Sequence, residues 1–322
     1  MKKLLIFFIA LCIGLLIFSG ISKVDDLIRG ADTNESSNTG ALRDKSEGGS
    51  YSSIDISALN AVLLDSDSGK VLYEKASEER CYPASTTKIL TALVAIESGD
   101  MNDIVTVGDE ANFPLPGSSK AGILYGEKYT LNDLLKCMLI PSGNDAAYVI
   151  AVHTARRMSE NADMPAREAV NYFCRMMNKR AKEAGARHSN FANPDGYQCD
   201  EHYTTAQDMA LIAEQAMKYK VFREIVKTGE FRLPDAIQYN NKGEEKRIVR
   251  ILRNTNQLIR EDSEYCYRYA TGLKTGHTEE AGYCLVSTAS YKGRNILSVA
   301  MNSTEKGIWL DSKELLEYGI SN

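Results

Sequence analysis

A serine and a lysine three residues apart, Ser85 and Lys88, are the residues of this chain whose types and spacing most directly offer chemistry. They stand in Pro83-Ala84-Ser85-Thr86-Thr87-Lys88, which leads into Ile89-Leu90-Thr91-Ala92-Leu93-Val94-Ala95-Ile96. That second segment is apolar almost all round, the pattern of a helix buried on every side, and Lys88 falls in its first turn. An unpaired ammonium in such a place is costly and readily gives up its proton, so the lysine is either well paired or chemically employed. Positions i and i+3 share a helix face, so hydroxyl and amine can touch. A buried amine beside a hydroxyl is the arrangement of an activated serine nucleophile. A Ser-x-x-Lys match alone is common on wet helix faces. A wet face would show a polar stripe between Leu90 and Val94, and this one does not.

The elements that must position this pair are legible around it. Ala61 to Asp65 and Lys70 to Glu74 flank the turn-rich Ser66-Asp67-Ser68-Gly69 and predict a hairpin. Thr130-Leu-Asn-Asp133 is a capping-box signature that opens a short apolar helix through Ile140. Pro141 stops that helix, leaving Ser142-Gly143-Asn144 at the break. Helical patterns follow from Ala146 to Met158 and from Pro165 to Ala184, with Gly185 as C-cap. Asn193-Pro194-Asp195-Gly196 reads as a turn, and Thr205-x-x-Asp208 caps a helix to about Tyr219. From Glu230 the texture becomes β-like: Phe231-Arg-Leu, Arg247 to Leu252, and Gly282 to Ser290 paired with Ile296 to Asn302. A last helix is expected from about Asp311 to Tyr318. The expected fold is α/β, an antiparallel sheet built from both chain ends and flanked by helices, with an inserted all-α lobe and a cleft between them.

Met1-Lys2-Lys3 followed by an apolar run from Leu4 to about Ile21 reads as a secretory signal or a single membrane anchor, residues 1–22. Gly20-Ile21-Ser22 offers small residues for cleavage before Lys23, and no lipobox-like residue precedes Cys12. Residues 23–53 are rich in Ser, Asn, Asp and Gly without apolar periodicity and read as a flexible polar linker. The folded unit is then 54–322, exported beyond the cytoplasm. A formal net charge of −5 and the lack of a dense basic patch speak against a nucleic-acid partner. Beyond Cys12 lie Cys81, Cys137, Cys174, Cys199, Cys266 and Cys284, with no Cys-x-x-Cys spacing; most have apolar neighbours and read as buried thiols. His153, His188, His202 and His277 show no metalloprotease pairing, and neither metal nor cofactor is expected.

Ser85-Thr86-Thr87-Lys88, Ser142-Gly143-Asn144 and Lys274-Thr275-Gly276 fall in this order along the chain. A Ser-x-x-Lys, Ser-Asp-Asn and Lys-Thr-Gly set marks class A β-lactamases and penicillin-binding proteins. The chain resembles that superfamily, and more closely its low-molecular-mass D-alanyl-D-alanine carboxypeptidases. The resemblance takes in Arg80-x-x-Pro-Ala-Ser-Thr-Thr-Lys, Pro141-Ser-Gly-Asn-Asp-Ala, Asn193-Pro-Asp-Gly, Tyr203-Thr-Thr-Ala and Gly272-Leu-Lys-Thr-Gly-His, from about Asn60 to Gly319.

The resemblance implies a β-lactamase/transpeptidase-like fold with 54–322 as the catalytic domain. Ser85 would attack the penultimate D-alanine carbonyl of a peptidoglycan stem peptide ending in D-Ala-D-Ala, and a neutral Lys88 would take its proton, with Lys274 as a second cation lowering the lysine's pKa. Ser142 would relay a proton to the leaving amine, and Asn144 would hold Lys88 or the substrate amide. Lys274 and Thr275 would meet the terminal carboxylate on an edge strand, where Gly276 leaves room for an added peptide strand. The backbone N–H groups of Ser85 and His277 would form the oxyanion hole. No Glu-x-x-x-Asn segment of the class A type is found, so Lys88 is the expected deacylation base and β-lactams the expected slow covalent inhibitors. The alternatives are a class A-like β-lactamase and a non-catalytic penicillin-binding sensor. Because the chain ends soon after Tyr318-Gly319, any membrane attachment is expected through the N-terminus.

Overall fold

The structure is a computed structural model that describes residues 54–239 and 245–322. The signal or anchor expected at 1–22 and the linker at 23–53 lie outside the described residues.

Strands β1 (Asn60–Asp65) and β2 (Val71–Lys75) form the expected hairpin, and a 3-10 turn at Ala84–Thr87 runs into helix α1 (Lys88–Ser98). Two short strands, β3 (Ile104–Thr106) and β4 (Lys128–Thr130), pair with each other. Helices α2 (Leu131–Leu139), α3 (Asn144–Met158), α4 (Ala166–Glu183), α5 (Ala206–Ala216) and α6 (Lys220–Val226) follow. Next come β5 (Glu230–Arg232), β6 (Ala236–Tyr239), β7 (Glu245–Ile248) and β8 (Ile251–Arg253). The chain closes with β9 (Ala270–Thr278), β10 (Gly282–Tyr291), β11 (Arg294–Ser303) and α7 (Gly307–Ser321).

The main sheet has the order β2-β1-β11-β10-β9, every neighbour antiparallel, so strands from both chain ends share it as expected. Successive side chains of a strand point to opposite faces, and here both faces are covered. Val62 and Leu64 of β1, Val286 of β10 and Val299 and Met301 of β11 pack with Leu90 and Leu93 of α1. Ala61, Leu63, Leu285 and Ala300 face the other way and pack with Ile308 and Leu315 of α7. Burial on both faces explains why these strands read as apolar runs without alternation.

The inserted lobe is not purely helical: it also carries the ribbons β3–β4, β5–β8 and β6–β7. The run Arg247 to Leu252, expected as one strand, splits between β7 and β8. Arg250 turns inward at the break, where its guanidinium bonds Gly122 O, the Tyr129 hydroxyl and the Glu127 carboxylate, each at 2.9 Å. The helix expected to reach Tyr219 stops at Ala216 because Tyr219 is extended; its N-cap position starts α6, and its hydroxyl bonds Glu97 of α1 at 2.8 Å. The last helix begins earlier than Asp311, since the Thr304 hydroxyl accepts the Gly307 N–H at 3.0 Å. All six described cysteines are free; Cys81, Cys137, Cys174 and Cys284 are buried, Cys199 is half-buried and Cys266 is exposed. Among the described residues no helix is long and apolar enough to cross a membrane.

Candidate active site

Ala84 enters the 3-10 turn at a φ of 45°, a conformation a residue with a Cβ adopts only under constraint, and Ser85 follows at the head of α1. Lys88, completely buried in the helix's first turn, donates from Nζ to Ser85 Oγ at 2.8 Å and to the backbone O of Asp195 at 2.6 Å. One turn on, the Thr91 hydroxyl donates to Pro194 O at 2.7 Å. Two donors of α1 thus grip two consecutive carbonyls of the Asn193–Gly196 turn. The contact is close enough that a Cβ on Gly196 would lie 1.9 Å from Ala84 O. Beside it, buried His202 accepts the Ala192 N–H at Nδ1 (3.1 Å), which leaves Nε2 to donate to the Thr87 hydroxyl at 2.8 Å.

Ser142 occupies the break between α2 and α3 at a φ of 64°, and Asn144 is the first residue of α3. The Asn144 Oδ1 is buried with no hydrogen-bond partner among the described residues. Next to it, the buried Asp145 carboxylate accepts the N–H groups of Ala121, Gly122 and Ile123 at 2.9, 2.8 and 3.2 Å. It thereby holds residues 121–123, just beyond the Pro116–Ser119 segment that walls the cleft.

The third side is β9, an edge strand of the main sheet. A Cβ on Gly276 would fall 2.9 Å from both Pro83 O and Ser85 N, so only glycine lets this strand pass the nucleophile so closely. Thr275 shares a 2.6 Å hydroxyl contact with Thr255, and exposed His277 lies against the Tyr283 ring at 4.1 Å. Lys274 differs from expectation in its placement. It is fully buried behind Thr275, donating to Thr275 O at 2.8 Å, rather than lining the cleft.

These segments enclose a cleft of about 890 Å³ lined by Ser85, Ser142, Asn144, Thr275, Gly276 and His277, with Lys88 and Lys274 beneath its floor. Burial pushes the Lys88 amine down to about 8, against an upward pull from the Asp195 and Asp145 carboxylates. Lys274 is held well below the usual lysine range by burial and by the Lys88 charge. His202 is pushed down to about 3 by burial and, secondarily, by Lys88. Thr255, Asp195, Tyr197 and Gln198 also belong to the site or its support and escaped the sequence reading, which took Asn193–Gly196 only as a turn. The polar Asn254-Thr255-Asn256 between two strand patterns was the available signal for Thr255. No group of His, Cys, Asp and Glu among the described residues is arranged to hold a metal ion.

A sheet closed by both chain ends, a mainly helical insert and a serine–lysine contact at the head of the buried helix define the fold of the penicillin-binding and DD-transpeptidase class. The crystal structure of the Streptomyces K15 DD-transpeptidase matches with a TM-score of 0.74 and 29% identity, covering 84% of this chain and 100% of that one. The chain belongs to the D-alanyl-D-alanine carboxypeptidase family, whose pattern spans residues 47–305. It is 36% identical to D-alanyl-D-alanine carboxypeptidase DacF of Bacillus subtilis over 80% of this chain and 60% of that protein. It is 30% identical to the D-alanyl-D-alanine carboxypeptidase of Streptomyces sp. strain K15 over 83% of this chain and 88% of that protein. The match thus spans about three fifths of the Bacillus relative.

Proposed function

We propose that the chain is a serine D-alanyl-D-alanine carboxypeptidase that removes the terminal D-alanine from peptidoglycan stem peptides. The observation that carries this reading is the 2.8 Å contact between Ser85 Oγ and a fully buried Lys88 whose amine loses its proton near pH 8. In its neutral form that amine accepts the serine proton as Oγ bonds to the carbonyl carbon of the penultimate D-alanine. The N–H groups of Ser85 and His277 hold the oxyanion. The C–N bond breaks, the leaving D-alanine takes a proton through Ser142, and Asn144 orients the substrate amide. Water activated by Lys88 then hydrolyses the ester. The Thr255–Thr275 hydroxyl pair, with Lys274 behind it, receives the free terminal carboxylate, which explains removal of one residue from an end. β-Lactams acylate the same serine. Residues 54–322 form the catalytic domain; 1–22 export it or anchor it to the outer face of the cytoplasmic membrane, and 23–53 tether it.

The test is D-alanine release from a pentapeptide ending in D-Ala-D-Ala, compared with Ser85→Ala. Release that depends on Ser85 is expected; none above that control would leave only a penicillin-binding sensor. The neighbour named a DD-transpeptidase favours a second reading, in which an amine replaces water as acyl acceptor. Adding an acceptor amine and following the cross-linked product separates the two.

A further inference from the structure

One buried group beside the nucleophile has no part in the chemistry above. Asp195 is 1% exposed, and its Oδ2 has no hydrogen-bond partner among the described residues. Its Oδ1 accepts one long bond, 3.3 Å, from the Tyr197 N–H. The turn does not depend on it, because the Asn193 side chain already closes that turn by accepting the Gly196 N–H at 2.8 Å. Burial raises the pKa of so deeply enclosed a carboxyl, and the charge of a neighbouring amine acts against that rise. The neighbour is Lys88, which donates to the backbone O of this same residue at 2.6 Å.

We propose that Asp195 is a positioning residue for the general base: its carbonyl aims the Lys88 amine at Ser85, and its carboxylate is the counter-charge that decides whether that amine keeps a proton. This rests on the carboxypeptidase reading for its functional meaning. The groups around the pair leave few other charges. On α3 they are Asp145, which acts on Lys88 in the same sense, and Tyr148; on α4, Cys174; on β9, Lys274, itself pushed down by burial and by the Lys88 charge. Burial keeps Tyr148 and Cys174 protonated and His202 neutral. Around Lys88 the balance is therefore Asp195 and Asp145 against the burial of the amine. The carboxylate holds the proton on the amine, so its removal lets the base form at lower pH.

The experiment is a pH titration of 13Cε-labelled lysine in the full-length chain, wild type against Asp195→Asn, with the pH profile of penicillin acylation followed in parallel. The Lys88 signal is expected to titrate about one pH unit or more lower in the variant, with the acid limb of acylation displaced equally. Identical Lys88 midpoints in the two proteins overturn the proposal. Should Asp195→Asn fail to fold, the Asp195 13Cγ signal is compared between wild type and Lys88→Met. Its midpoint is expected to rise when the ammonium is gone, and an unmoved midpoint overturns the proposal just as firmly. Both titrations are read without turnover, so a wild-type protein that released no D-alanine would sink the carboxypeptidase reading while this result stood on its own.

Discussion

Lys88 is asked to be a base, and its surroundings determine how often it is one. With a midpoint of about 8, roughly one amine in ten is neutral at pH 7. Penicillin acylation of Ser85 is therefore expected to rise about tenfold per unit from pH 5.5 and to flatten above about 8, as stopped-flow fluorescence can follow. Lys88→Arg keeps the charge but cannot lose its proton, and acylation should fall by about 10²–10⁴ on the plateau above pH 8. An arginine variant that reacted at the wild-type rate would remove the lysine from the mechanism. The Ser85–Lys88 contact was legible in the sequence because three residues of helix fix it locally. The partners that complete it were not. Asp195 reaches Lys88 across 107 positions and Thr255 reaches Thr275 across 20, and no periodicity announces either contact. Lys274 was placed correctly on its strand, but its direction depends on what surrounds β9, and that packing encloses the amine instead of presenting it.

Among the elements, the joint between α1 and the Asn193–Gly196 turn is the one the site tolerates least disturbance of. Gly196 has a φ of 87°, and any Cβ would collide with Ala84 O, an atom of the nucleophile's own turn that cannot move aside independently. Gly196→Ala is expected to destabilise the protein by about 3 kcal/mol through strain and displacement. Acylation should be lost at temperatures where circular dichroism still reports a folded chain. Wild-type acylation at an unchanged melting temperature would show that this contact is looser than drawn. The elements most readily read in advance were those with local signals: the buried run of α1, and the cap of α2, where Thr130 Oγ1 accepts the Asp133 N–H at 3.0 Å. The segment from Glu230 to Arg253 was read least well. Its break between β7 and β8 falls at Arg250, whose guanidinium pairs with a distant Glu127 in a setting where both side chains are 9% exposed.

For the molecule as a whole, the sheet that carries β9 is held closed where the two ends of the folded unit meet. The buried Asp311 carboxylate of α7 accepts the N–H groups of Ser57 and Ala58, each at 2.8 Å, and the Ser303 hydroxyl at 2.6 Å. On the other side of the sheet the helical lobe is fastened through His202, whose role the sequence did not reveal because a buried neutral imidazole leaves no pattern. His202 bridges Thr87 and Ala192 only while Nδ1 is free to accept, and burial pushes its pKa down to about 3, against 6.5 in a solvated histidine. Unfolding below pH 6.5 therefore takes up a proton at this site that the native protein refuses. The histidine's contribution is complete above pH 6.5 and is lost progressively as the pH falls toward 3, in total roughly 5 kcal/mol at about 1.4 kcal/mol per unit. Urea unfolding at pH 7, 5.5 and 4.5 separates this from the carboxylates when wild type is compared with His202→Asn. The variant should be less stable at pH 7, and the gap should narrow steadily on acidification. A gap that stayed constant from pH 7 to 4.5 would mean that the histidine takes up its proton in the native protein as readily as in the unfolded one, and that the link from α1 to the turn beneath Ser85 is made in some other way.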